Sequence, residues 1–413
     1  MLNRREFSRY FLTGGAAILT PGADWPAYTI APQQTNGAQD IDLLIAGGTV
    51  IDPEQKLHAT RDVAVKDGKI LEVSNNIPKE RAIKVVSAKD QIVTPGFIDV
   101  HVHCFEGVSF GISADQYCLS RGVTTVVDAG SAGYSTIVNF RKFIANPAKT
   151  RIMSLVDIGV VGTAMLQGQY MNLDWVNAQL TAKAAMDNRP VTVGIKIHDS
   201  RNITGMADLE CLKRAMQAAE ISRLPLMAHL EDTYSPLPDA LKVLRKGDIY
   251  THCFNKRTHN ILDTNGKIIP EALEARARGV LFDIAQGGSH LNFDVAEKCL
   301  QQNFPPDTIS TDLTNTAVER RIFDLPTMVS KFMAIGVDLE KAVAMVTSNA
   351  ARMFDYGAEI GTLLPGSEAD IAIFDLRDGK FEFVDSDGGI RTGSQMLVNK
   401  TVVRHGQVFI NEV

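Results

Sequence analysis

Between Pro95 and Tyr356, short apolar runs alternate with helix-like stretches. No other feature restricts the possible folds as much, because a strand, a crossover helix and a further strand lay parallel strands side by side. The candidate strands are Phe97 to Val102, Thr124 to Asp128, Ile152 to Ile158, Val191 to Ile197, Leu226 to Leu230, Asp248 to His252, Val280 to Ile284 and Thr308 to Asp312. Eight such strands close into a barrel that carries its functional groups at the strand C-terminal ends. The flanks have a different texture. From Ile41 to Val93, alternating strands are broken by turns at Gly47-Gly48 and Asp67-Gly68, and the same pattern returns in Ala369 to Asp375, Lys380 to Val384, Met396 to Val403 and Gln407 to Ile410. The expected fold class is therefore α/β: a (β/α)8 TIM-type barrel over 94–357, with a small composite β-sandwich built from 39–93 and 358–413. A length of 413 residues suits a barrel of about 250 residues plus a smaller companion.

The formal charge of −6 provides no positive field for a phosphate backbone, so a small-molecule substrate is expected and nucleic acid is not. No apolar run reaches the roughly 20 residues that cross a bilayer as a helix, so the mature protein is not expected to be membrane-embedded. At the N-terminus, Arg4 and Arg5 precede Phe7 and a mildly apolar stretch from Tyr10 to Thr20 containing Gly14, Gly15, Ala16 and Ala17. This resembles a twin-arginine export signal, although Asn3, Ser8 and Arg9 depart from the commonest flanks. It predicts a signal and linker over 1–38, engagement of the export machinery and a periplasmic or otherwise exported protein. A basic, frayed tail is the alternative. The cysteines, Cys104, Cys118, Cys211, Cys253 and Cys299, are odd in number and show no CxxC spacing, so they read as buried thiols. Nothing in the sequence bears on the oligomeric state.

The chemistry-bearing residues cluster at the ends of the candidate strands. In Phe97-Ile98-Asp99-Val100-His101-Val102-His103, two histidines one residue apart on a strand point the same way, so both imidazoles reach one cation. Lys196 ends the apolar run Val193-Gly194-Ile195, where an unpaired ammonium is costly. Taken alone, a structural salt bridge is the simpler account of this lysine. The functional account is that desolvation makes the neutral amine accessible, which then adds carbon dioxide to become a carbamate bridging two metals. His229 ends Pro225-Leu226-Met227-Ala228, His252 ends Asp248-Ile249-Tyr250-Thr251, and Asp312 ends Asp307-Thr308-Ile309-Ser310-Thr311. Each has an ordinary explanation alone, as a hydrogen-bonded core histidine or a strand-end turn. Six ligand-type residues at strand ends of one barrel converge on one site.

The order His-x-His, Lys, His, His, Asp on a (β/α) barrel with a terminal β-sandwich resembles the amidohydrolase superfamily with a carboxylated lysine. Gly194-Ile195-Lys196 and Tyr250 to Asn255 look most like its amidohydrolase/deacetylase, dihydroorotase-like members. The resemblance implies that His101, His103 and Asp312 hold a first divalent metal, that His229 and His252 hold a second, and that carboxylated Lys196 bridges them. Zinc is the first expectation, with manganese and iron compatible. It further implies hydrolysis of an amide, cyclic amide or ester by metal-bridging hydroxide, with Asp312 as the catalytic proton shuttle and deacetylation of N-acyl or O-acyl compounds as the leading activity. The rival readings are a dihydroorotase-like cyclic amidohydrolase and a non-catalytic periplasmic metal- or solute-binding protein. Relatives usually carry an arginine-containing stretch after the lysine strand and a Gly-His-Gly type turn after the seventh. Here those stretches read Ile197-His198-Asp199-Ser200-Arg201-Asn202 and Ala285-Gln286-Gly287-Gly288-Ser289-His290. Gln286, Ser289 and His290 are therefore the candidate substrate contacts, while His198 and His290 as lone loop histidines read as polar surface.

Overall fold

The fold is described by a computed structural model covering residues 39–319 and 324–410. The Arg4-Arg5 segment lies outside the described residues. Seven parallel strands form one sheet in sequence order: Phe97–Val102, Val123–Gly133, Arg151–Asp157, Thr192–Asp199, Leu226–Leu230, Ile249–Thr251 and Leu281–Phe282. The first, second and fourth are buried along their entire length. Burial on both faces explains why they read as apolar runs without alternation.

The eighth element differs from its expectation. Residues 308–312 make no regular strand, and single parallel bridges, Asp283↔Thr308 and Val102↔Leu313, close the ring. Backbone bonds from Asp312 N to His101 O (2.7 Å) and from His103 N to Leu313 O (3.0 Å) seal it against the first strand. The ladder is interrupted because Asp312 adopts φ +53°, which regular strand geometry does not permit. The sixth and seventh strands are also shorter than the sequence predicts, since His252 (φ +62°) and Ala285 (φ +45°) turn the chain in the same way.

Helices wrap the outside, and their ends follow local chemistry. Asn177, Asn292 and Asp324 each accept a backbone N–H three residues on, at the starts of Ala178–Asp187, Phe293–Gln301 and Leu325–Ala334. Arg223 in the left-handed region ends Asp208–Ser222. Among the described residues no helix is long and apolar enough to cross a membrane.

The chain ends form a separate eight-stranded sheet. Ile371–Val384, Ile390–Arg404 and Gln407–Ile410 follow one another and join Ile41–Asp52, Leu57–Lys66 and Lys69–Ser74 through Ile92–Pro95. Ile41–Asp52 is shared lengthwise: its first half pairs with Ala82–Ser87 and its second with Ile92–Pro95. The expected two-layer arrangement is thus one hydrogen-bonded sheet, curled enough that Lys69 bridges Glu368 and that Val63, Val93, Ile371 and Val403 share one apolar cluster. The turn after Ile371–Val384 reaches the barrel rim: Asp385 accepts from Phe293 N at 2.9 Å, and Ser386 Oγ donates to Gln286 O at 3.2 Å.

Candidate metal centre at the barrel mouth

Lys196 is completely buried, with its Nζ 3.3 Å from His101 Nε2 and 3.8 Å from Met227 Sδ. Among the described residues it forms no ion pair with a carboxylate, so the simpler reading of a structural salt bridge fails. Burial lowers its pKa to about 8. The site is cut to fit this side chain: a Cβ on Gly130 (φ +88°) would lie 2.6 Å from Lys196 Cγ.

Four imidazoles from the strand ends cluster beside the lysine. Ring centroids of His101 and His252 are 4.9 Å apart, those of His229 and His252 4.4 Å, and those of His101 and His103 5.6 Å. Three of these rings are held from behind through Nδ1: His101 by Thr251 Oγ1 at 2.9 Å, His103 by Ser131 Oγ at 2.9 Å and His252 by Ala285 O at 2.8 Å. Thr251 in turn donates to Asp283 at 2.8 Å, so its hydroxyl accepts from His101. Such outer bonds fix the tautomer and leave Nε2 as the inward electron-pair donor. His229 is oriented differently. Its Nε2 faces Ser200 Oγ at 3.3 Å and Glu231 Oε2 at 3.6 Å, so ligation by this ring falls to Nδ1. Burial holds His101, His229 and His252 below the usual imidazole range, and Lys196 adds to the effect at His101. Neutral rings are the form that ligates.

Asp312 points its Oδ1 at both members of the His-x-His pair, 3.5 Å from His101 Nε2 and 3.3 Å from His103 Nε2. Its left-handed backbone, like that of His252, costs on the order of 1 to 2 kcal/mol, a strain characteristic of functional sites. Gly287 makes the space, because a Cβ there would lie 2.1 Å from Asp312 Oδ2. The ligand atoms of His101, His252 and Asp312 all lie within 4.8 Å of one another. Neutral nitrogens and one carboxylate converging on a lysine that lacks an oxygen acceptor form a donor set that fits divalent cations.

Two residues read from the sequence as polar surface are not surface. His198 is buried, with its ring 5.9 Å from His103 and 6.0 Å from His229. Its Nδ1 is 2.9 Å from Asp157 Oδ2, a carboxylate that also accepts from Tyr170 Oη (2.6 Å) and Gly159 N (2.7 Å), while burial pushes its pKa up to about 7. His290 lies 4.0 Å from the His252 ring, with Nδ1 2.7 Å from Glu231 Oε2 and Nε2 3.7 Å from Asp312 Oδ2. Burial pulls its pKa down, but the bond to Glu231 and that residue's charge outweigh burial and raise it. Arg257 donates to Glu231 Oε1 at 3.1 Å and to Ser289 O at 3.2 Å, tying the rim loop to the fifth strand. Glu231 and Arg257 carried no sequence signal beyond their type. Of the other expected substrate contacts, Ser289 is half-buried with Oγ 3.4 Å from the His290 ring. Gln286 is engaged elsewhere: its Oε1 accepts from Lys331 Nζ at 2.6 Å, in the seam beneath Leu325–Ala334.

Comparison with known proteins agrees with this geometry. Residues 92–395 match the amidohydrolase family. A deacetylase of Enterococcus faecalis is 33% identical over 90% of this chain and 100% of its own length, and a deacetylase of Brucella anthropi is 31% identical over 80% and 83%. Among solved structures, that of an adenine deaminase superposes with a TM-score of 0.83 at 32% identity, covering 90% of this chain and all of that one. A dihydroorotase structure superposes at 0.81 with 27% identity, covering 89% and 99%. A barrel whose mouth gathers His101, His103, Lys196, His229, His252 and Asp312, with the family match running over residues 92–395, places this chain in the amidohydrolase family.

Proposed function

We propose that the protein is a binuclear metal-dependent deacetylase of small N-acyl or O-acyl compounds. As an amidohydrolase it is a hydrolase acting on carbon–nitrogen bonds; the finer reading draws on the deacetylase relatives that align over most of the chain. In this reading His101, His103 and Asp312 would hold one cation, His229 and His252 would hold the other, and Lys196 as its carbamate would supply oxygens to both. Bound divalent metals, zinc by first expectation, supply Lewis acidity and lower the pKa of water. The observation that carries the proposal is the position of Asp312. One oxygen is within 3.5 Å of both His101 and His103 while the other is 3.7 Å from His290. A carboxylate so placed takes a proton from attacking water and returns it to the leaving group. A protein that only bound metal or solute has no use for that arrangement.

The test is release of free acid from a library of N-acyl amino acids, acetyl esters and cyclic ureides by metal-loaded protein. Acetate release from acyl substrates supports the reading, and turnover confined to the cyclic ureides would replace it with the dihydroorotase-like one. We also propose export through Arg4 and Arg5. Changing both to lysine retains the protein in the cytoplasm if the paired guanidinium groups are read by a receptor, and unchanged periplasmic recovery refutes this.

A further inference from the structure

His198 has an unusual hydrogen-bond balance. Its Nε2 is buried and has no partner among the described residues, whereas its Nδ1 is engaged by Asp157 at 2.9 Å. Asp157 collects donors from Gly159, Gln169 and Tyr170 as well, so it acts as an acceptor and His198 contributes the proton on Nδ1. Nε2 is then left with a lone pair and nothing to accept from. A buried acceptor without a donor is expensive unless a ligand supplies one.

The position indicates which ligand. Lys196 and His198 are two residues apart on Thr192–Asp199, so they face the same way, and His198 lies about 6.6 Å nearer the mouth. It therefore stands above Lys196 on the side from which substrate enters, between the rings of His103 and His229. Asp312 comes from the eighth element, which faces the fourth strand across an eight-membered barrel. A scissile group lying over Lys196 has His198 on one flank and Asp312 on the other.

We propose that His198 Nε2 accepts the N–H of the scissile amide, so that the site takes N-acyl compounds in preference to the corresponding O-acyl esters. This rests on the deacylase reading above and narrows its substrate class. In the hydrolysis, water oxygen adds to the acyl carbon, the C–N bond breaks and a proton from that water ends on nitrogen. With its N–H held by His198, the nitrogen turns its lone pair toward the opposite wall, where Asp312 delivers the proton. An ester oxygen carries no hydrogen and gains nothing from His198.

The test compares matched substrates, each N-acyl compound beside the O-acyl ester that differs only by oxygen for N–H, in wild type, His198→Leu and His198→Gln. Glutamine keeps an acceptor near the position of Nε2, and leucine fills the space without one, so the comparison survives if a truncation to alanine fails to fold. For His198→Leu, kcat/KM on the amide falls roughly tenfold or more while the ester changes less than about threefold, and His198→Gln recovers part of the loss. Two readouts do not depend on turnover. Elemental analysis finds the metal content unchanged, and calorimetry finds that wild type prefers a phosphonamidate to its phosphonate ester by roughly tenfold, a preference lost in His198→Leu. Loss of metal in His198→Leu would make this residue a ligand and overturn the proposal. Equal loss on both substrates would reduce it to a positioning residue and do the same. Failure of metal-loaded wild type to hydrolyse any acyl substrate would overturn the deacylase reading instead.

Discussion

Two lysines are buried among the described residues, and their surroundings are opposites. Lys331, in the seam between the barrel and the terminal sheet, donates to Gln286 Oε1 at 2.6 Å and to Val384 O at 2.8 Å. Lys196, at the barrel mouth, has an imidazole nitrogen at 3.3 Å and a thioether sulfur at 3.8 Å. Burial depresses both, to about 7 and about 8. At the seam the protein satisfies its own lysine, and the result is a fixed join. At the mouth, among the described residues, it offers no oxygen acceptor and buries the amine so that its charged form is disfavoured, an arrangement that makes sense when something from outside completes the site.

The largest expected effect breaks this contrast at the mouth. Lys196→Ala loses metal and essentially all turnover while circular dichroism and melting stay native-like, and acetate or propionate added with excess metal restores part of the activity. A variant that keeps both metals and full activity without added carboxylate would make Lys196 no different in kind from Lys331. Next in size, Asp312→Asn lowers kcat by about 10²- to 10⁴-fold, as loss of a proton shuttle does. An unchanged kcat at full metal occupancy would remove Asp312 from the chemistry. Glu231→Gln leaves His290 and Arg257 without their shared carboxylate, and kcat/KM falls about 10- to 100-fold, the usual cost of removing an outer partner. Steady-state kinetics showing no change would disconnect the rim loop from catalysis.

The smallest effect on activity belongs to the seam. Lys331→Met keeps metal and changes kcat/KM only severalfold, but it changes the pH dependence of stability. Because the folded pKa of Lys331 is about 7, below the ordinary 10.5, the unfolded chain binds the extra proton between those values. Stability from this group therefore rises with pH from 7 to 10.5, by on the order of 5 kcal/mol, and the full penalty is present below pH 7. Denaturant titrations at pH 7 and 10 should show a smaller rise in the variant than in wild type. Identical slopes would mean that Lys331 is not desolvated as the structure implies.

Much of the site was legible because strands have a period of two and ligand-type residues ended the apolar runs. His101, His103, Lys196, His229, His252 and Asp312 all come together as the pattern required. The misreadings share one cause. His198 and His290 look like loop histidines in sequence, yet the partners that bury them, Asp157 and Glu231, lie 41 and 59 positions away along the chain. Gln286 looked like a rim residue facing substrate, but Lys331 draws its side chain into the seam. The eighth strand was expected to be regular, and the positive φ of Asp312 interrupts it.

The sequence by itself determined the barrel, the terminal sheet and which histidine, lysine and aspartate side chains face the mouth, since those follow from periodicity, which is local. Tertiary structure alone decided the rest. It set which ring nitrogen each histidine turns inward, through Thr251, Ser131 and Ala285. It put Gly130 and Gly287 where a side chain would collide with Lys196 and Asp312. Among the described residues it also left Lys196 without an oxygen acceptor while giving Lys331 Gln286 Oε1 and Val384 O. Hydrogen-bond partners and close approaches join residues remote along the chain, and a pattern that repeats every two residues carries no record of them.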